Sequence, residues 1–149
     1  MQTIVVASDA PTLRREVEAV ISGPDVTVES MRTGPEVIAE AVEAPDLIIV
    51  DMQMGNMGGM AVCLELRLQE SYGALPHIPV LMLLDRRPDV FLARRSGAEG
   101  FLVKPLDPLR LRRAVHALLA EGTYHDDSYT PVPVLVGAGP QLQAPPSST

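Results

Sequence analysis

The sequence predicts an α/β domain, a parallel sheet wound with helices on both faces, and three observations carry that prediction. Short strand-like runs alternate with helix-length amphipathic stretches five times along residues 1–121. Most of the runs are apolar throughout instead of alternating with polar residues, which marks strands buried on both sides. Proline and glycine stand at the junctions, where strands and helices start and stop.

The first strand is TIVVA (3–7). Pro11 takes a first helical position, and Leu13, Val17, Val20 and Ile21 follow at helical spacing until Gly23-Pro24 ends the helix. VTVE (26–29) is the second strand. Gly34-Pro35 opens a second helix, with Val37, Ile38, Ala41 and Val42 expected on its inner face, and it stops before Pro45. DLIIV (46–50) is the third strand. The glycine-rich loop DMQMGNMGGM leads into a third helix, with Met60, Cys63 or Leu64, and Leu68 expected inward. PVLMLL (79–84) is the fourth strand, and Pro88 starts a fourth helix capped by Gly97. GFLV (100–103) is the fifth strand. Asp107-Pro108 starts a last helix, with Leu111, Val115, Leu118 and Leu119 as its apolar stripe. Right-handed crossovers among five such units give the flavodoxin-like (βα)5 order 2-1-3-4-5, with the functional crevice beyond the carboxyl ends of the strands.

The 149 residues suffice for one domain with a core and not for two ordinary ones. No apolar run approaches the roughly 18 residues of a membrane span. The start MQTIVVASDA lacks the basic region of a signal peptide, so a cytoplasmic protein is expected. A single cysteine, Cys63, excludes an intrachain disulfide and a cysteine metal cluster, and on an apolar helical face it reads as buried and inert. The methionines at 52, 54, 57 and 60 read as core filler or a soft contact surface, and the scattered His77, His116 and His125 lack metal-ligand spacing. Net charge is −7, unevenly spread: residues 1–85 carry four Arg against thirteen acids, whereas residues 86–113 carry eight basic residues against three acids. The acidic body argues against direct nucleic-acid binding. The basic stretch is either a docking face for an acidic partner or a solvated face. From residue 122 the character changes to a Pro-rich tail, expected to be disordered at PQLQAPPSST and to hold no output domain. Its apolar segment PVPVLVG (131–137) has two open readings, lying on the domain or pairing at a sheet edge.

In the expected order, strands one, three, four and five are neighbours, so Asp9, Asp51, Leu84 and Lys104 ring one crevice. Two carboxylates and an ammonium there suit phosphoryl chemistry. A carboxylate attacks phosphorus to give an acyl phosphate, a divalent ion held by carboxylates neutralises the transferred group, and lysine serves as a point charge. Lys104 is the sole lysine beside eleven arginines.

The segments IVVASDAP, LIIVDMQMGNMGG and PVLMLL…SGAEGFLVKPLD resemble the receiver domain of bacterial two-component response regulators over about residues 1–121. The resemblance implies that Asp51 is the phosphoacceptor, that Asp9 and Asp51 hold Mg²⁺, that Lys104 contacts the phosphoryl group, that Phe101 takes the switch-aromatic position and that Lys104-Pro105 is cis. A histidine kinase is the implied phosphodonor.

Two positions depart from the pattern. Ser8 stands where the first of two adjacent acids is usual, which removes a charge and weakens the ion site without abolishing it. Leu84 stands where Thr or Ser is usual, and it lacks a hydroxyl whose bond to a charged group is worth about 1.5–3 kcal/mol. Asp85 adds negative charge if it points inward. Gly55 and Gly58 suggest a looser loop after Asp51. These departures favour an atypical receiver, acting in phosphorelay signalling by protein–protein interaction with impaired or absent switching and with Asp51 and Lys104 as a standing ion pair. The alternative is a conventional Mg²⁺-dependent phosphoryl acceptor. In both, the partner surface is the face of the fourth helix, fifth strand and fifth helix, with Arg94, Arg95, Arg110, Arg112 and Arg113, through which a homodimer also forms. A phosphohydrolase on the same scaffold needs a second Asp where Gln53 stands, so no enzyme is expected.

Overall fold

The computed structural model describes residues 1–127. The elements run β1 Gln2–Ala7, α1 Pro11–Ile21, β2 Val26–Met31, α2 Gly34–Glu40, β3 Leu47–Asp51, α3 Gly59–Ser71, β4 Val80–Leu84, α4 Val90–Ser96, β5 Gly100–Val103, α5 Pro108–Leu119 and β6 Tyr124–His125. The strands form one sheet in the order β2-β1-β3-β4-β5-β6, and each neighbouring pair is parallel.

The uniform apolarity of the central strands follows from helices on both faces. Every residue of β3 and of β4 is buried. Successive side chains point to opposite sides. Ile4, Val6, Leu47, Ile49, Leu81, Leu83 and Leu102 therefore pack with Val17 of α1 and Leu111, Ala114, Val115 and Leu118 of α5. Val5, Ile48, Val50, Val80, Met82, Leu84 and Phe101 pack with Val37, Val62, Cys63, Leu66, Val90 and Ala93 of α2, α3 and α4. Burying each large side chain contributes about 1.5–3 kcal/mol, so the two layers together fix the register of the sheet.

Local chemistry sets the helix ends. Thr33 Oγ1 accepts from the Glu36 amide at 3.3 Å while Glu36 reaches back to the Thr33 amide at 3.1 Å, a capping box at the start of α2. Asp107 accepts from the Leu109 amide at 2.9 Å, with Pro108 following. Gly97 ends α4 with φ of 86°.

Three expectations need correction. Val42 is 70% exposed, because α2 stops at Glu40 and a 3₁₀ turn over Ala41–Glu43 breaks the helical phase. Leu64 and Leu68 are about half exposed, and Val62, Cys63 and Leu66 take the inward positions. The phase of α3 is set at its start, where a Cβ on Gly59 would sit 2.8 Å from the Asp51 carbonyl oxygen, so the helix presses that face to β3. The sheet also has six strands, not five: β6 pairs with β5 beyond residue 121. The segment 131–137 lies outside the described residues. No described helix is long and apolar enough to cross a membrane.

Candidate functional site

Four strand ends deliver the crevice. Asp51 is the last residue of β3 and is 3% exposed. Ser8 and Asp9 follow β1, Asp85 follows β4, and Lys104 follows β5. The parallel register carries these ends to one rim, as Ala7 pairs with Val50, Asp51 with Leu83 and Leu84 with Val103.

A buried carboxylate needs partners, and Asp51 has them on both oxygens. Lys104 Nζ donates to Oδ1 at 2.8 Å, the Gln53 amide donates to Oδ1 at 3.2 Å, and Ser8 Oγ donates to Oδ2 at 2.8 Å. Ser8 is itself buried, and its Oγ accepts from the Ala10 amide at 3.1 Å. The residue that replaces an acid thus acts as a neutral donor to Asp51. Asp9 is exposed, and its Oδ2 accepts from the Gly55 amide at 3.0 Å.

Lys104 is shared. Its Nζ lies 2.9 Å from Asp85 Oδ1 as well as 2.8 Å from Asp51 Oδ1. Burial pulls its pKa down, and hydrogen bonds to Asp51 and then Asp85 overcome this, so the ammonium is held above the ordinary lysine range. The Lys104-Pro105 bond is cis, and the Lys104 amide donates to the Leu84 carbonyl at 2.8 Å.

Leu84 is fully buried among the residues between the sheet and α2, α3 and α4, where it fills space with methyl groups. The loop after Asp51 is not loose. The Gly59 amide donates to the Met52 carbonyl at 3.1 Å and the Met57 amide to the Gly55 carbonyl at 2.9 Å, and Met52 and Met54 are buried. A Cβ on Gly58 would lie 2.5 Å from the Met52 oxygen, so glycine at 58 permits a tight fold instead of conferring slack.

The oxygen donors this rim offers a divalent ion are the Asp51 and Asp9 carboxylates and the Ser8 hydroxyl. Asp51 Oδ1 already accepts two hydrogen bonds, whereas Asp51 Oδ2 and Asp9 Oδ2 each accept one and keep a second lone pair. Among the described residues, no cluster of three His, Cys, Asp or Glu is arranged to hold a metal. The donor set fits an ion that retains most of its water, as Mg²⁺ does.

Phe101 is 1% exposed and lies on β5, beside the edge strand β6. The His125 ring stacks on it with centroids 5.1 Å apart and planes 11° from parallel, and Arg94 Cζ lies 5.5 Å from its centroid. Arg110 Nη1 donates to Asp126 Oδ1 at 3.1 Å. Arg94 thus lies over a β5 side chain, and Arg110 holds the residue that follows β6. Arg95 and Arg113 are exposed on α4 and α5. Arg112 turns away, lining a cleft against α1 with Gln2, Val20 and Val26. Sequence reasoning missed both the Lys104–Asp85 pair as a fixed contact and the whole of β6. A two-residue strand carries too little periodicity to be read, and the only signal was acid following a ring in YHDD.

A groove of about 660 Å³ lies elsewhere, lined by Asp46, His77, Glu99 and Gly122. It shares no residue with the Asp51 crevice. His77 bridges Glu70 and Glu99 beside it, and Arg67 pairs with Glu99 at 2.6 Å.

Comparison with known proteins gives consistent matches. A family model described as the response regulator receiver domain matches residues 4–116. The nitrate/nitrite response regulator protein NarL of Escherichia coli (strain K12) is 34% identical over 133 residues, 87% of this chain and 60% of NarL. The chain thus spans less than two thirds of that relative's length. Protein PilH of Pseudomonas aeruginosa is 27% identical over 121 residues, 80% of this chain and 99% of PilH. Among solved structures, the signal receiver domain of a signal transduction histidine kinase from Syntrophus aciditrophicus matches with a TM-score of 0.72 at 30% identity, covering 81% of this chain and 92% of that one.

Proposed function

The chain belongs to the response regulator receiver domain family of two-component signalling, and from that premise we propose that it is an atypical receiver, signalling by protein–protein interaction with impaired phosphorylation switching at Asp51. The observation that carries this is the fully buried Leu84 at the end of β4. A receiver that switches needs a hydroxyl there to bond the phosphoryl oxygen and pull the neighbouring backbone. Leucine offers no such bond, and its methyl groups already pack against the core. Asp85 reinforces the effect by sharing Lys104 with Asp51.

The reading nevertheless retains the groups that acceptance uses, Asp51, Lys104 and Asp9. In this reading the Asp51 carboxylate attacks phosphorus, and the bond from phosphorus to the donor's leaving group breaks. Lys104 then moves from the carboxylate to the phosphoryl oxygens. Mg²⁺ held by Asp9 and Asp51 supplies charge neutralisation when bound. The convergence of Asp51 and Lys104 at 2.8 Å favours a second reading, a conventional phosphoryl acceptor whose donor is a histidine kinase. The output surface in both is the face of α4, β5 and α5, with Arg94, Arg95, Arg110 and Arg113, available for a protein partner or a homodimer.

Intact mass after incubation with acetyl phosphate and Mg²⁺, on the wild type and on Asp51→Asn, tests the proposal. Impaired switching predicts a low or absent adduct on the wild type and no adduct-dependent change in oligomeric state. A near-stoichiometric adduct that vanishes in Asp51→Asn and alters association selects the conventional reading.

A further inference from the structure

The basic face of α4 and α5 already carries an acidic occupant, and that occupant belongs to the chain itself. Strand β6 lies parallel on the outer edge of β5, with Gly100 opposite Tyr124 and Phe101 opposite His125. The Tyr124 amide donates to the Glu99 carbonyl at 3.1 Å and the Asp126 amide to the Phe101 carbonyl at 3.2 Å. Asp126, 2% exposed, accepts from the Val103 amide at 2.8 Å and from Arg110 at 3.1 Å, so a side chain satisfies a β5 donor that the short ladder does not reach. Asp127 lies 3.7 Å from the same guanidinium. One residue earlier, the His125 ring covers Phe101. A Cβ on Gly100 would lie 2.9 Å from the Tyr124 carbonyl oxygen, so the bare backbone at 100 permits this approach.

We infer that the edge of β5 between α4 and α5 is a strand-addition site for an extended acidic peptide bearing a flat ring immediately followed by Asp, with residues 124–127 as its intramolecular occupant. The inference rests on the reading that this face serves protein partners, and it names the kind of partner. Two side chains of the occupant meet dedicated groups: the His125 ring meets Phe101, and the Asp126 carboxylate meets Val103 and Arg110. The surrounding segment, residues 86–113, carries eight basic residues against three acids, which complements Glu121, Asp126 and Asp127. Main-chain pairing supplies affinity in this mode, and the side-chain pockets supply selectivity. A partner gains access by displacing the chain's own segment, so the site is self-masked.

The test uses the full chain, unaltered and with His125→Ala plus Asp126→Ala. Each is titrated with a capped peptide of residues 122–127, GTYHDD, up to about 5 mM, the range of effective concentration that a short tether provides. NMR follows the amides of Phe101, Leu102 and Val103. In the double variant the Val103 amide exchanges faster, the peptide shifts all three amides, and the wild type needs at least about tenfold more peptide because its own segment competes. Adding Arg110→Ala to the double variant weakens the peptide, as does Asn in place of the peptide's first Asp. Unchanged Val103 protection in the double variant overturns the inference, and so does an opened edge that the peptide does not shift, or equal binding by the two chains. Should the double variant lose its dispersed spectrum, Asp126→Ala alone, which removes the acceptor from the Val103 amide and leaves Gly100 bare, is judged by the same outcomes. No phosphoryl transfer enters this experiment, so its failure is separate from any failure of the Asp51 reading.

Discussion

Removing Asp85 should make Asp51 a better phosphoryl acceptor. Lys104 Nζ sits 2.9 Å from Asp85 Oδ1, and it must leave or share that carboxylate to serve a phosphoryl oxygen. The Asp85 side chain is 37% exposed, so the pair is screened by solvent and worth about 1 kcal/mol, the upper end for exposed ion pairs. Releasing that amount corresponds to roughly a fivefold gain in the fraction or rate of Asp51 phosphorylation, at about 1.4 kcal/mol per tenfold. The assay is a time course of intact mass with acetyl phosphate and Mg²⁺ for wild type, Asp85→Ala, Lys104→Ala and the double variant. The gain appears in Asp85→Ala and disappears in the Lys104→Ala background, because the effect passes through the ammonium. The Lys104 pKa is raised, so its ion pairs persist up to the unfolded value near pH 10.4 and are lost only as pH rises through the folded one. The gain is therefore flat from about pH 6 to 9. An unchanged or lower adduct in Asp85→Ala refutes the reasoning, as does a gain that survives without Lys104, or the lack of any adduct in both chains at saturating Mg²⁺.

Three further outcomes are expected. Leu84→Thr costs about 2–4 kcal/mol in urea unfolding, through lost packing and a buried hydroxyl, while strengthening any phosphorylation-dependent change in association; if neither stability nor association moves, the role given to Leu84 is wrong. The Glu36 carboxyl is held below the usual range by hydrogen bonds from the Arg32 and Thr33 amides, so its contribution is present above the unfolded pKa near 4.3 and is lost as pH falls through the folded value. Amide exchange at Thr33 and Glu36 accelerates below about pH 4, and Glu36→Gln keeps the cap but flattens that dependence. Burial pushes the Cys63 thiol up despite the opposing effect of Arg67, so the folded chain resists thiol reagents and labelling follows unfolding; prompt labelling under native conditions contradicts this.

Much of this architecture was legible because buried parallel strands are written as plain apolar runs. IIV of β3 and LMLL of β4 place Asp51 and Asp85 at strand ends with no ambiguity, and register then brings Asp51 and Lys104 together. Amphipathic phase was harder. Leu64 and Leu68 satisfy helical spacing as well as Val62 and Leu66 do, and the decision is made by the close approach of Gly59 to Asp51, a steric fact with no periodic signature. The same holds for the loop after Asp51. Glycine reads as freedom in a sequence, yet at 58 it serves contact. Strand β6 escaped because it is held by single interactions, a ring on Phe101 and a carboxylate on Val103 and Arg110, each of which links residues far apart in the chain.

A strand running alongside β5 also reverses where the polypeptide departs. Helix α5 travels back across the sheet and finishes at the base, beside the starts of the strands and opposite the rim that carries Asp51. By turning once more and ascending beside its neighbour, the backbone regains the upper margin, and Asp127 ends next to Arg110 instead of beneath the floor.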